Sequence, residues 1–255
     1  MADVVYMVRE GSVNEELRFS LRAVAANLPH AGVWIVGGRP PWLTGVRHLK
    51  VRQGTDKHAN TWAATTAIAN CAEISDEFVW MHDDMFVMRP VDRVPVLHRG
   101  SLDAWLERQR TTRGGSWAYD KLAATRAALV DAGRDPAALL SYELHVPMPV
   151  DRRWLAEAIA YADHRREHGR PGLLAKRTLY ANLAGVGGTQ SGDCKIANAD
   201  DVPDPEAVFL STSDGSFRYW KVGRHIRRAF PDPSPYERPL EIPRRLPRSR
   251  PLHAT

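Results

Sequence analysis

Apolar residues run unbroken from Val4 to Val8 within residues 3–8 (DVVYMV), which predicts a buried strand. Leu17, Leu21, Val24 and Leu28 then recur at three- and four-residue intervals, with Arg18 and Arg22 on the other side. That is the stripe of an amphipathic helix, and Ser12 three residues before Glu15 has capping-box spacing for its start. Residues 32–37 (GVWIVG) predict a second strand, ended by Gly37-Gly38 and Pro40-Pro41, and the alternating 46–51 (VRHLKV) a third. A helix is expected from about Thr61 to Cys71, then a strand over 78–82 (FVWMH) that runs straight into Asp83-Asp84.

The second half reads as more helical. Ser101 can cap a helix carrying Leu102, Trp105 and Leu106, residues 117–132 are alanine-rich, and Asp151 can cap a helix carrying Trp154, Leu155, Ala158 and Ile159. Residues 142–150 (YELHVPMPV) read as extended, 208–211 as a late strand and 219–229 as a late helix. Alternating strands and helices predict an α/β fold with a mainly parallel sheet and a helical subregion. In such sheets ligands bind beyond the carboxyl ends of the strands. The loops at 9–14, 37–45, 52–60 and 83–90 are therefore the expected site wall. Gly185–Gly188 is expected to be a flexible loop, usable as a lid.

Composition narrows the classes. The chain has 255 residues, 44% hydrophobic and 25% charged, enough to build a core without staples. Two cysteines, Cys71 and Cys194, exclude a disulfide scaffold and a cysteine-based zinc site, and read as free thiols. No run approaches 18 apolar residues, so no membrane span is expected. The N-terminal residues lack the basic-then-apolar pattern of a secretory signal. The expected location is cytoplasmic. No G-x-S-x-G, G-x-G-x-x-G, C-x-x-C or P-loop lysine motif supports hydrolase, dinucleotide, thioredoxin or P-loop chemistry.

The formal charge is +5, but it is concentrated at one end. From Arg238 onward stand five arginines, Arg238, Arg244, Arg245, Arg248 and Arg250, against one acid, Glu241, with a proline at every fourth position from Pro239 to Pro251. This Pro/Arg-rich tail, 238–255, is expected to be extended. It is either a solvated terminus or an arm for weak nucleic-acid or other phosphate contact. A non-catalytic nucleic-acid- or nucleotide-binding module acting through this tail is therefore one reading of the chain. The region 1–237 is expected to be a single domain, with 1–100 as a donor-binding half and 101–237 as an acceptor and catalytic half.

The sharpest chemical feature is the acid pair after an apolar strand. Asp83 and Asp84 either cap the following turn or hold a hard divalent cation through oxygen. His145, between Glu143 and Pro147, is either a satisfied structural histidine or a fixed general base. Arg9, beside Glu10, is either half of a surface ion pair or a phosphate ligand.

In order along the chain, these pieces resemble the Stealth family of sugar-phosphate transferases. Asn14 to Arg22 (NEELRFSLR) is similar to the family's NxELRYSLRS segment, and Asn60 with the following helix to its FNS stretch. FVWMHDDMF is similar to its strand and acid pair, HVPMP at His145 to its HMP region, and FPDPSPYE at 230–237 to its FPxPSPFE ending. The chain also resembles compact phage-type glycosyltransferases. The resemblance implies a GT-A-like (Rossmann-like) fold, a nucleotide-sugar donor, a divalent metal (Mn²⁺ or Mg²⁺) and a hydroxyl acceptor on a glycan, a protein or a modified DNA base. Carried over by position, Asp83 and Asp84 would bind the metal. His145, Arg177 and Asp214 would be catalytic, with Arg177 holding phosphate. Arg9, Glu10, Asn60 and His82 would line the donor site. The chain departs from the family pattern at Arg9-Glu10, at Ser213-Asp214 and at His82. Transfer of a sugar and transfer of a sugar-1-phosphate both stay open.

Overall fold

A computed structural model describes residues 1–11, 13–113, 117–168 and 173–238. Its first half alternates as expected: β1 (Asp3–Val8), α1 (Glu15–Asn27), β2 (Val33–Gly37), β3 (Arg47–Leu49), α2 (Lys57–Asn70), β4 (Glu77–His82) and β5 (Met85–Val87). Then come β6 (Leu97–His98), α3 (Leu102–Arg113), α4 (Trp117–Asp131), β7 (Met148–Asp151), α5 (Arg152–Glu167) and α6 (Lys176–Ala184). The chain continues through β8 (Thr189–Gln190), β9 (Phe209–Ser211), α7 (Asp214–Tyr219) and α8 (Lys221–Ala229). Among the described residues no helix is long and apolar enough to cross a membrane. Cys71 and Cys194 are both free.

Five strands form the central sheet in the order β3-β2-β1-β4-β7. The first four are parallel, and β7 runs antiparallel to β4, with Trp80 opposite Met148. Both faces are covered, which is why β1 and β2 read as unbroken apolar runs rather than alternating ones. One face, carrying Val5, Met7, Trp34, Phe78 and Trp80, packs on Ile68 of α2, Leu129 of α4, Leu155 and Ile159 of α5, and Leu179 of α6. The other face, carrying Val4, Tyr6, Ile35 and Met81, packs on Leu17, Leu21 and Val24 of α1. A third cluster joins Phe86 of β5 and Leu210 of β9 to Phe217, Val222 and Ile226, and seats α7 and α8 beside the end of β4. Burying each such side chain contributes about 1.5–3 kcal/mol.

Several boundaries differ from the sequence expectation. The cap of α1 is Asn14, whose Oδ1 accepts the Leu17 N–H at 3.0 Å; Ser12 lies outside the described residues. Helix α2 starts at Lys57, capped by Asp56, so Asn60 stands in its first turn rather than in a loop. The 83–90 loop contains β5, which pairs with β9. Helices α6 and α7 were not expected: α6 has no side-chain cap, and α7 has six residues behind a Ser213–Ser216 capping box. Gly185–Gly188 is not a free loop. Gly185 ends α6 at φ 66°, and Thr189 N–H bonds to the Val96 carbonyl at 3.0 Å, tying the segment to β6. The basic tail beyond Arg238 lies outside the described residues.

The carboxyl ends of β1, β2 and β4 open on one edge, and β1 sits where the winding reverses between β2 and β4. Two devices shape the turn that leaves β1. Gln53 donates to the Val8 carbonyl at 2.7 Å and accepts the Glu10 N–H at 2.9 Å. Gly38 lets the chain leaving β2 pass close by: a β-carbon there would stand 2.6 Å from the Arg9 carbonyl oxygen and from Glu10 Cα. These neighbours are backbone and cannot swing away. Gly38→Ala is therefore expected to cost about 1–3 kcal/mol, the range of overpacking substitutions, measured as a lowered urea midpoint at unchanged slope. An unchanged midpoint would show that the approach is not tight.

Candidate active site

A cavity of about 200 Å³ lies at this edge, lined by Arg9, Glu10, Asn14, Glu16, Asp83, Asp214 and Arg218, among others. Its lining is rich in acids. Asp83 follows β4, Glu16 comes from the buried side of α1, and Asp214 opens α7. Asn14 holds the first of these. It is the only non-glycine residue at positive φ among the described residues (φ 38°, ψ 71°). Its Oδ1 caps α1 while its Nδ2 donates to Asp83 Oδ2 at 2.7 Å. A left-handed backbone is costly for a residue with a β-carbon, and asparagine tolerates it best. One side chain thus ties the start of α1 to the end of β4.

The carboxylates titrate against one another. Burial pushes Asp83 upward, and the Asp84 and Asp214 charges add to that rise against the Asn14 hydrogen bond. Burial raises Glu16 from 4.5 to about 8; Thr212 donates to its Oε1 at 2.5 Å, and the negative charges of Asp83 and Asp84 favour its protonated form. The Glu16 proton is shared toward Asp214, and that hydrogen bond, with Arg9 nearby, holds Asp214 below the usual range. Arg9 reaches Asp214 at 3.5 Å, and both side chains are 78% exposed, so the pair contributes little to stability. Asp84 pairs with Lys195 at 3.4 Å.

His145 stands apart from this pocket, on the segment entering β7. Its Nδ1 is 2.8 Å from Asp193 Oδ2, and its side chain is 41% exposed. Asp193 and Lys195 are two residues apart, so a single short segment touches both His145 and Asp84.

The sequence-derived residues therefore separate into three groups. Arg9, Glu10, Asp83 and Asp214 meet in one pocket, with Asp84 beside them. His145 joins them through residues 193–195. The other three are placed differently. Arg177 does not reach the pocket. It is buried, donates to the Leu144 and Val146 carbonyls at 3.0 and 2.7 Å, and lies over the Trp80 ring. Burial lowers it to about 10, still charged at neutral pH. Its guanidinium is engaged by the main-chain carbonyls on either side of His145 and supports that segment. The Asn60 amide donates to the Gly54 carbonyl at 2.8 Å and accepts the Gly54 N–H at 2.7 Å. It shapes the 52–56 loop and is not among the residues that line the cavity. His82 ends β4 on the opposite face from Asp83. Burial, then the Arg177 and Lys176 charges, hold its imidazole well below the usual range.

Asn14, Glu16, Gln53, Thr212, Asp193 and Lys195 escaped the sequence reading. For Glu16 a signal was present: an acid immediately before Leu17, on the buried side of an otherwise apolar stripe. The others depend on contacts between distant segments.

The donor set is suited to a hard divalent cation, since it consists of carboxylate oxygens whose repulsion is only partly offset. Among the described residues, no group of three or more His, Cys, Asp or Glu side chains is arranged to hold a metal ion unaided. Asp83 and Asp84 fit as part of a site that a further ligand would complete.

No protein-family model matches the chain. A curated exopolysaccharide phosphotransferase of Nocardia farcinica is 25% identical over 284 residues, covering 91% of this chain and 54% of that protein. The chain thus spans about half the length of that relative. Among solved structures, an active-site mutant of LgtC is similar at a TM-score of 0.50 and 12% identity, over 89% of this chain and 94% of that one. The apo form of the glycosyltransferase GlyE of Streptococcus pneumoniae TIGR4 is similar at 0.46 and 8% identity, over 89% of this chain and 59% of that one. The likeness to LgtC places the fold: a GT-A-like α/β architecture on a mainly parallel sheet.

Glu16 gives a pH test. A carboxyl whose folded pKa lies above its unfolded value binds more protons in the native state, so stability falls as pH rises between the two. With Glu16 raised from 4.5 to about 8, that window lies between these values. In metal-free buffer Glu16→Gln is expected to be the more stable protein at pH 8, and the difference should vanish below about pH 4.5. Denaturant titrations across that range read it. A variant less stable than the parent at pH 8 would mean that Glu16 is ionised and compensated.

Proposed function

We propose that the chain is a nucleotide-sugar-dependent transferase that moves a sugar-1-phosphate onto a hydroxyl acceptor. The observation that carries this reading is the crowding of Glu16, Asp83, Asp84 and Asp214 at the carboxyl edge of β1 and β4, in a GT-A-like sheet. The similarity to a curated exopolysaccharide phosphotransferase along 91% of the chain supports the phosphotransfer form over plain glycosyl transfer.

A divalent cation, Mn²⁺ or Mg²⁺, held by Asp83 and Asp84 would neutralise the donor diphosphate and the nucleotide that leaves. The chain's own residues supply the rest. Asn14 fixes the direction of Asp83 and Gln53 fixes the 9–10 turn. Arg9, at the exposed rim beside Asp214, is free to swing onto a phosphate oxygen, where its planar fork matches two acceptors. His145 accepts the proton of the acceptor hydroxyl through Nε2. The acceptor oxygen forms a bond to the β-phosphorus, the bond from that phosphorus to the bridging oxygen breaks, and a nucleoside monophosphate leaves. The donor is the nucleotide-sugar, and the acceptor is a hydroxyl on a glycan, a protein or a modified DNA base. The 238–255 tail offers a sequence-independent attraction to phosphate.

The test is to incubate the protein with a panel of nucleotide-sugars and Mn²⁺ or Mg²⁺, and to identify the released nucleotide by mass spectrometry. Nucleoside monophosphate is expected, absent without metal and absent in Asp83→Ala/Asp84→Ala. His145→Ala is expected to lower turnover by about 10²–10⁴-fold, the usual contribution of general-base catalysis. Released nucleoside diphosphate would mean glycosyl transfer instead. No turnover and no donor binding, with salt-dependent nucleic-acid binding lost on removing 238–255, would favour a binding module.

A further inference from the structure

His145 is held at three points by two consecutive residues. Asp193 Oδ1 accepts the His145 main-chain N–H at 3.0 Å, and Asp193 Oδ2 lies 2.8 Å from its Nδ1. The Cys194 thiol donates to the His145 carbonyl at 3.0 Å. Asp193 is itself braced by Arg99, whose Nη2 pairs with Oδ2. Arg99 Nε donates to the Glu143 carbonyl at 2.7 Å, and its guanidinium lies over the Trp105 ring, 4.4 Å from the centroid. The Asp193 side chain is 22% exposed. Against the upward pull of burial, the His145 hydrogen bond and the Arg99 charge hold its carboxyl well below the usual range.

This arrangement decides the histidine tautomer. An ionised carboxylate only accepts, so a neutral imidazole facing it must carry its proton on Nδ1. The lone pair is then on Nε2, which has no hydrogen-bond partner among the described residues. We propose that Asp193, braced by Arg99, is the positioning residue that fixes His145 as an Nε2 base. The inference rests on the reading of His145 as the base of the transfer reaction. Both Asp193 oxygens bind the same residue, one on its backbone and one on its ring. Ring rotation and tautomer exchange are therefore both opposed, which is the form that pre-organisation takes in a general base. Lys195, two residues on, reaches Asp84. The same short segment thus joins the base to the acid pair.

The test has two arms. The first reads the parent protein and needs no turnover: ring ¹⁵N shifts and two-bond couplings of His145, assigned by comparison with His145→Gln, at a pH where the ring is neutral. Protonated Nδ1 and unprotonated Nε2 are expected, and Asp193→Asn should mix or reverse the pattern. The second reads catalysis. Asp193→Asn should lower kcat by about 10²-fold or more, within the range a general base supplies, with little change in KM and no further loss in a His145→Ala background. An Nε2–H tautomer in the parent would overturn the proposal. So would an unchanged tautomer in Asp193→Asn, or an equal loss from Asp193→Asn with and without His145. If no donor turns over but the tautomer pattern appears, the transferase reading fails while the positioning holds.

Discussion

Everything at the site follows from packing several carboxyl groups at one edge of a parallel sheet. Glu16, the adjacent Asp83 and Asp84, and Asp214 come from three separate stretches of chain, and among the described residues Arg9 and Lys195 stand against them as paired cations. A buried carboxylate without compensation is expensive. The protein meets part of that cost by keeping Glu16 protonated and by pointing the Asn14 amide at Asp83. The remainder is a standing preference for positive charge at that spot. That preference is the physical basis of the proposed cation site.

The scaffold is shaped around that edge. Close passage at Gly38 and the Gln53 clamp fix the loop positions, and the left-handed Asn14 does so at a conformational cost. Backbone strain of this kind persists where the surroundings over-determine it. The third apolar cluster matters for the same reason: Phe86 and Phe217 stack with ring centroids 5.7 Å apart and bring α7, with Asp214 at its start, against the end of β4.

The strands were legible because sheet burial on both faces writes them as apolar runs: residues 3–8, 33–37 and 77–82 could hardly be anything else. The acid pair was legible because it follows one of them directly. Helix starts were less so: capping-box spacing pointed to Ser12, while Asn14 caps α1 and also reaches Asp83. The role of Arg177 came only from the family resemblance, and its contacts with the Leu144 and Val146 carbonyls are ones that no local pattern reveals. The pairing of Asn60 with Gly54 was hidden in the same way. Asp193 was invisible because its meaning comes from His145, 48 positions away. Local chemistry can be read along the chain; the pairing of distant polar groups is decided only when the sheet closes.

We propose that the acidic edge takes a diphosphate together with a divalent cation. Calorimetric titration with uridine and guanosine diphosphates, with and without Mn²⁺, on the parent and on Asp83→Asn addresses it directly. At least one nucleotide should bind the parent only when metal is present, and Asp83→Asn should abolish that binding while unfolding at a similar denaturant concentration. Binding of equal strength without metal, and equally in Asp83→Asn, would contradict the account.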